Sequence, residues 1–199
     1  MPADCLEDRA RTGVRGRRRK QIVDTARACF IERGFHAAGM SMIARQAGLS
    51  VGTIYHLFTN KEELIAAIVG EDLDQVKGLM ALADTGMAPE EAISQFIERT
   101  IEQLGRGAAV LRVEVMADAS RNPRMAELVQ EADRTLRDYI FALLMRFDAS
   151  LSPENSGPEL ATRIEMLLAL MGGAMVRMAR NPEVQFSGLK PMVATILGR

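Results

Sequence analysis

The sequence predicts an all-α protein: an N-terminal three-helix head containing a helix-turn-helix, then a C-terminal helical bundle, about nine helices in all. Three observations predict it. Apolar residues recur at spacings of three and four along almost the whole chain. Gly48 and Ser50, a turn former and a helix cap, separate two short amphipathic segments. The one stretch that alternates like a strand, Leu111, Val113 and Val115 between Arg112 and Glu114, has no second strand to pair its backbone groups, so residues 110–119 are assigned to a helix.

Taken in order, residues 1–16 are polar, glycine-punctuated and without period, and are expected to form a flexible leader ahead of the basic run Arg17, Arg18, Arg19 and Lys20. Ile22, Ala26, Cys29 and Phe30 trace the first helix, which Gly34 stops. A short second helix carries Ile43, Ala44 and Ala47 inward, and Gly48 can take the left-handed geometry of a tight turn. The Ser50 hydroxyl can cap the third helix by accepting from the amide of Gly52 or Thr53, with Ile54, Leu57 and Phe58 as anchors.

Asn60 and Glu63 have the spacing of a capping box, and Ile65, Val69, Leu73, Val76 and Met80 mark a long fourth helix. Beyond a loop at 84–89, Ile93, Phe96, Ile97, Thr100, Ile101 and Leu104 give the fifth, and 110–119 the sixth. Pro123 breaks the chain before the seventh, traced by Met125, Leu128, Val129, Ala132, Leu136, Tyr139, Ile140 and Leu143. After a loop at 152–158, Leu160, Ile164, Leu167, Leu168, Met171, Met175 and Met178 trace the eighth, and 189–197 the ninth. The expected division is leader 1–16, DNA-binding head 17–62, and ligand-binding and dimerisation body 63–199.

Charge separates head from body. Residues 1–61 hold 11 Lys or Arg against 5 Asp or Glu, while 62–199 hold 14 against 21, so a net charge of −1 conceals a basic head on an acidic body. That asymmetry suits a module that docks head-first on phosphate. Cys5 and Cys29 have no disulfide-framework spacing, no apolar run reaches membrane-spanning length, and no signal-peptide core is present, so a cytoplasmic, non-membrane protein is expected. The two cysteines, His36 and His56 lack metal-ligand spacing, and no phosphate loop or nucleophile elbow occurs. Neither an enzyme nor a cofactor or metal site is expected.

The third helix presents small or hydrogen-bonding residues outward: Val51, Gly52, Thr53, Tyr55 and His56. A helix of this size fits the major groove, its leading amides favour phosphate, and Val51 suits a thymine methyl. Tyr55 could instead be a core aromatic with only its hydroxyl wet. Lys61, at the start of the fourth helix, is placed to share a phosphate with the helix amides.

SVGTIYHLFTNKEEL at 50–64, with IARQAGL at 43–49 and RGF at 33–35, closely resembles the head of the tetracycline-repressor-like (TetR/AcrR) family over residues 20–65. The resemblance implies that Ser41, Val51, Gly52, Thr53 and Tyr55 lie at the groove and that His56 and Lys61 face phosphates. Arg18, Arg19 and Ser50 complete the expected DNA contacts. This chain has Ala38-Gly39 where the family has Thr or Ser ahead of its second helix, so a weaker cap is expected there.

So small a head reads few base pairs, and two heads about 34 Å apart on a palindromic operator are expected. The resemblance implies a homodimer through the last two helices, with Leu160, Ile164, Leu168, Met171, Gly172, Met175, Met192 and Ile196 at the seam. Gly172-Gly173 marks either a close partner approach or a local kink. The family's body encloses an effector pocket whose occupation shifts the fourth helix. Ten of 13 methionines but only five aromatics (Phe96, Tyr139, Phe141, Phe147 and Phe186) follow residue 61, which points to a deformable pocket for a small apolar effector. Phe96, Arg112, Glu114, Met116, Met125 and Tyr139 are its candidate lining, although methionines also fill cores and Arg112 and Glu114 could be a solvated face. The function expected is a ligand-responsive repressor. The alternatives are a helical small-molecule-binding protein and an architectural protein that binds duplexes without sequence preference.

Overall fold

The computed structural model describes residues 4–81, 87–147, 158–181 and 183–198, and its regular elements are all helices. They are α1 (Asp4–Arg33), α2 (Met40–Gln46), α3 (Val51–Leu57), α4 (Lys61–Ala81), α5 (Pro89–Ala119), α6 (Pro123–Phe147), α7 (Pro158–Arg180) and α8 (Lys190–Leu197). Gly105, at φ 61° and ψ 178°, interrupts α5 with a conformation that only glycine adopts readily. The break separates the expected fifth and sixth helices and makes nine helical segments among the described residues. The Met80, Leu104 and Phe147 side chains, and residues 84–86 and 152–157 of the expected loops, lie outside the described residues.

The chain forms two compact units, Met1–Val69 and Gly70–Arg199, divided inside α4 and not at residue 62. The beginning of α4 belongs to the first unit for a physical reason: it buries Leu64, Ile65 and Ile68, and Arg27 of α1 donates to the Ile68 carbonyl at 3.3 Å. The rest of that core comes from Ile22, Ala26, Cys29 and Phe30 of α1, Ile43 and Ala44 of α2, Ile54 of α3, and Phe58. Burial raises the pKa of the Cys29 thiol, which donates to the Gln46 amide oxygen of α2.

The expected flexible leader is instead helical from Asp4 onward. Apolar periodicity reports burial rather than helicity. Residues 14–20 are all exposed, so the helical pattern starts only where α1 begins to pack, at Ile22.

In the second unit α5 packs on α6, α7 and α8. Phe96, Ile97 and Ile101 of α5 meet Ile140 and Leu143 of α6, Ile164, Leu167 and Met171 of α7, and Val193 and Leu197 of α8. Leu111 and Val115 are buried while Val113 is half-buried, a spacing of four that fits the helical assignment of this stretch. The outer ends are tied by polar groups. The Glu98 carboxylate accepts from the Leu189 amide at 2.7 Å at the start of α8, and Arg163 donates to the Leu197 carbonyl at its end.

Most of the stripe expected at a dimer seam is already packed within the chain. Leu160, Ile164, Met171 and Met175 are buried in the chain's own core, and Leu168 and Ile196 are packed against it, so little of their surface remains for a partner. The apolar side chains that α7 and α8 expose are Met166 at 50%, Val176 at 40% and Met192 at 43%. α7 runs through Gly172-Gly173 without positive φ.

Ion pairs link the body helices: Lys190 with Glu91 at 2.6 Å, and Arg137 with Glu165 at 2.7 Å. Hydrogen bonds from Lys190 and Arg137 hold the two carboxyls below their ordinary range. A lowered folded pKa stabilises the fold above the unfolded value, about 4.3 for glutamate, and the contribution is lost as pH falls through the folded value. Replacing Glu91 and Glu165 by Gln should therefore flatten the acid limb of a melting-temperature profile while changing the neutral plateau little, because exposed pairs contribute little there. A double variant whose acid limb matches the parent's would exclude these two groups as contributors.

Candidate DNA interface

α3 is seven residues long, too short to be stable alone, and its geometry comes from its ends. At the preceding turn Gly48 has φ 65°, its amide donates to the Arg45 carbonyl at 3.2 Å, and the Leu49 amide donates to the Ala44 carbonyl at 3.0 Å. This pair of bonds closes α2 in a Schellman motif and reverses the chain into α3. The Ser50 hydroxyl then accepts from the Thr53 amide at 3.1 Å and lies 2.8 Å from the Thr53 hydroxyl. At the far end Phe58 is buried and its amide donates to the Ile54 carbonyl.

With Ile54 buried and Leu57 half-buried, the opposite face of α3 is bare. Val51, Gly52, Tyr55 and His56 are exposed, and Tyr55, at 52%, is not the core aromatic that it could have been. Thr53 is half-buried, and its amide and hydroxyl both meet the Ser50 hydroxyl in the cap of α3. Ser41 is exposed in the first turn of α2 behind Gly39, which supplies no side-chain cap, as the weaker sequence at that position predicts. Arg45, four residues after Ser41 and also exposed, extends the same face. It was legible only as the next helical neighbour of Ser41.

Lys61 does more than the sequence indicates. Its ammonium donates to the Phe35 carbonyl at 2.9 Å and to the His36 carbonyl at 3.2 Å, and lies 4.8 Å from the Phe35 ring centroid. The start of α4 is thereby fastened to the turn after α1. Beside it the Asn60 side chain accepts from the Glu63 amide at 2.9 Å, and the Glu63 carboxylate reaches back to the Thr59 amide and hydroxyl, both at 2.7 Å. The expected capping box is present, with its return bonds one residue earlier than usual. Arg18 is exposed, and the Arg19 guanidinium lies 5.1 Å from the Phe58 ring centroid, next to the end of α3.

The candidate effector residues separate by burial. Phe96 and Met125 are buried, Arg112, Glu114 and Tyr139 are half-buried, and Met116, at 48% exposure, lies on the surface and not inside the body. Asp72, missed in the sequence, is buried on α4 within the second unit, 3.7 Å from Arg112.

Residues 22–68 match the family described as bacterial regulatory proteins, tetR family, and 89–197 match the C-terminal region of BetI-type transcriptional repressors. The HTH-type transcriptional regulator UidR of Escherichia coli strain K12 is 32% identical over 186 residues, covering 90% of this chain and 92% of its own length. The solved structure of Salmonella enterica GusR has a TM-score of 0.74 at 27% identity, covering 92% of this chain and 96% of that one. FadR of Bacillus subtilis, solved with stearoyl-CoA, shares the fold with a TM-score of 0.66 at 19% identity, covering 89% and 96%.

Tyr55→Ala should cost about 1–3 kcal/mol of preference for the specific duplex, the size of a base-contact term. Lys61→Ala should weaken specific and random duplexes alike and lower the salt slope by about one unit. Fluorescence anisotropy over a salt series separates the two, and identical behaviour of both variants would remove the division between base and phosphate contacts.

Proposed function

The chain belongs to the tetR family of bacterial regulatory proteins, and from that premise we propose that this DNA-binding regulator is a repressor that seats as a homodimer on a palindromic operator and is released by a small apolar effector. The observation that carries the reading is the bare, end-fixed face of α3, with Val51, Gly52, Thr53 and Tyr55 for bases and His56, Lys61 and Arg18 for phosphates. The likeness of residues 89–197 to a repressor C-terminal region supports repression. No helix among the described residues is long and apolar enough to cross a membrane, which suits action on DNA in the cytoplasm.

Dimerisation is proposed through the outward face of α7 and α8. Met166, Gly173, Val176 and Met192 are exposed, and a Cβ built on Gly172 or Gly173 meets nothing within 4 Å. Those two glycines therefore serve no packing need inside the chain, and a close helix from a second copy accounts for them. The effector is proposed to bind in the body near Phe96, Arg112, Glu114 and Tyr139. A ligand that moves Arg112 acts directly on Asp72, and so on α4, the helix whose first turns lie in the head unit.

Competition of a palindromic upstream site against random duplex tests the function, and equal affinity would overturn it. A cognate effector should weaken operator binding by roughly 1–3 kcal/mol, and operator should weaken effector binding by the same amount. Gly173→Arg should yield a monomer by analytical ultracentrifugation. Its fold should be no less stable, because replacing a helical glycine gains about 0.5–1 kcal/mol; a variant that stays dimeric would exclude this seam.

A further inference from the structure

Residues 14–21 of α1 are exposed and burial sets in at Ile22, while the helix extends back to Asp4. Helical residues outside a core need another source of stability, and this stretch is poorly suited to supply its own. Gly13 and Gly16 lie within it, and from Arg9 to Val23 there are seven Lys or Arg and no Asp or Glu. Arg11 with Arg15, and Arg15 with Arg19, stand four apart, where like charges repel. Lys20 pairs with Asp24 and Arg19 stacks on Phe58, but Arg15, Arg17 and Arg18 are exposed and have no ion-pair partner among the described residues.

We propose that the N-terminal segment of α1 is a second DNA-contacting element, a basic helix whose charges are neutralised by duplex phosphates flanking the bases that α3 reads. The placement follows from its root. Gln21 donates to the Ala47 carbonyl at 2.9 Å, in the turn before α3, and Arg19 covers Phe58, which ends α3. The basic run therefore leaves the head beside the recognition helix. Residues 4–20 span about 25 Å of helix at 1.5 Å each, the length of about seven base pairs at 3.4 Å. Residues 15–20 contain no apolar side chain that could anchor a protein partner, whereas phosphate requires only charge. The inference rests on the head being a DNA reader, and it adds affinity that is indifferent to sequence.

The test uses the full chain with Arg15, Arg17 and Arg18 all changed to Gln, on a long duplex centred on the operator and on one trimmed to the bases under α3. On the long duplex the slope of log K against log salt should become shallower by about 2.7 per head, three charges at about 0.9 each, with preference for operator over random sequence unchanged. Trimming should reproduce the loss in the parent chain, and changing the same three residues to Lys should preserve the parent slope. A Gln variant with the parent's slope and affinity on the long duplex overturns the proposal, while continued operator preference by the parent leaves the α3 reading intact. A parent without operator preference overturns that reading instead, and the slope comparison still decides whether the extension touches phosphate.

Discussion

The head depends on fixing a helix that cannot fix itself. Seven residues of α3 make too few internal hydrogen bonds to repay the ordering of their backbone. Its direction is set by the left-handed Gly48, its start by the Ser50 hydroxyl, and its end by the burial of Phe58. Each constraint acts from outside Val51–Leu57, so the outward positions of α3 are not needed to hold it in place. A β-branched or bulky residue at Gly48 would not loosen one contact; it would redirect the whole reading face.

The same economy governs the junction of α1 and α4. Lys61 binds two carbonyls just beyond the end of α1, and Glu63 closes on Thr59, so the beginning of α4 is held by groups adjacent to the reading face. This explains why the compact head extends to Val69 and not merely to the end of the recognition motif. The Lys61 ammonium thus ties the start of α4, whose later residues, including Asp72, belong to the second unit, to the turn after α1.

What could be read in advance followed local chemistry. The Gly48 turn, the Ser50 and Asn60 caps and the Pro123 break all depend on residues within a turn of one another. The apolar stripe of α7 is ambiguous for a different reason: Leu160, Ile164, Met171 and Met175 recur with the same period whether they face their own α5 or a second copy, so periodicity could not assign them. The leader was misread because residues 14–20 are helical yet exposed, and an exposed helix leaves no apolar period.

Charge and base-sized hydrogen-bonding groups are kept apart in the head. α3 has no lysine or arginine in Val51–Leu57; its face is a methyl-bearing, amide-exposing and hydroxyl-bearing surface suited to base edges. The cations stand around it, at Arg17, Arg18, Arg19, Arg45 and Lys61, where they can hold phosphates of any sequence. With charge kept off the recognition helix, its substitution by other small or hydrogen-bonding residues changes which bases are preferred without removing the electrostatic term that brings the head to DNA. The acidic body completes the division: a net negative charge over residues 62–199 disfavours docking by any surface except the basic head.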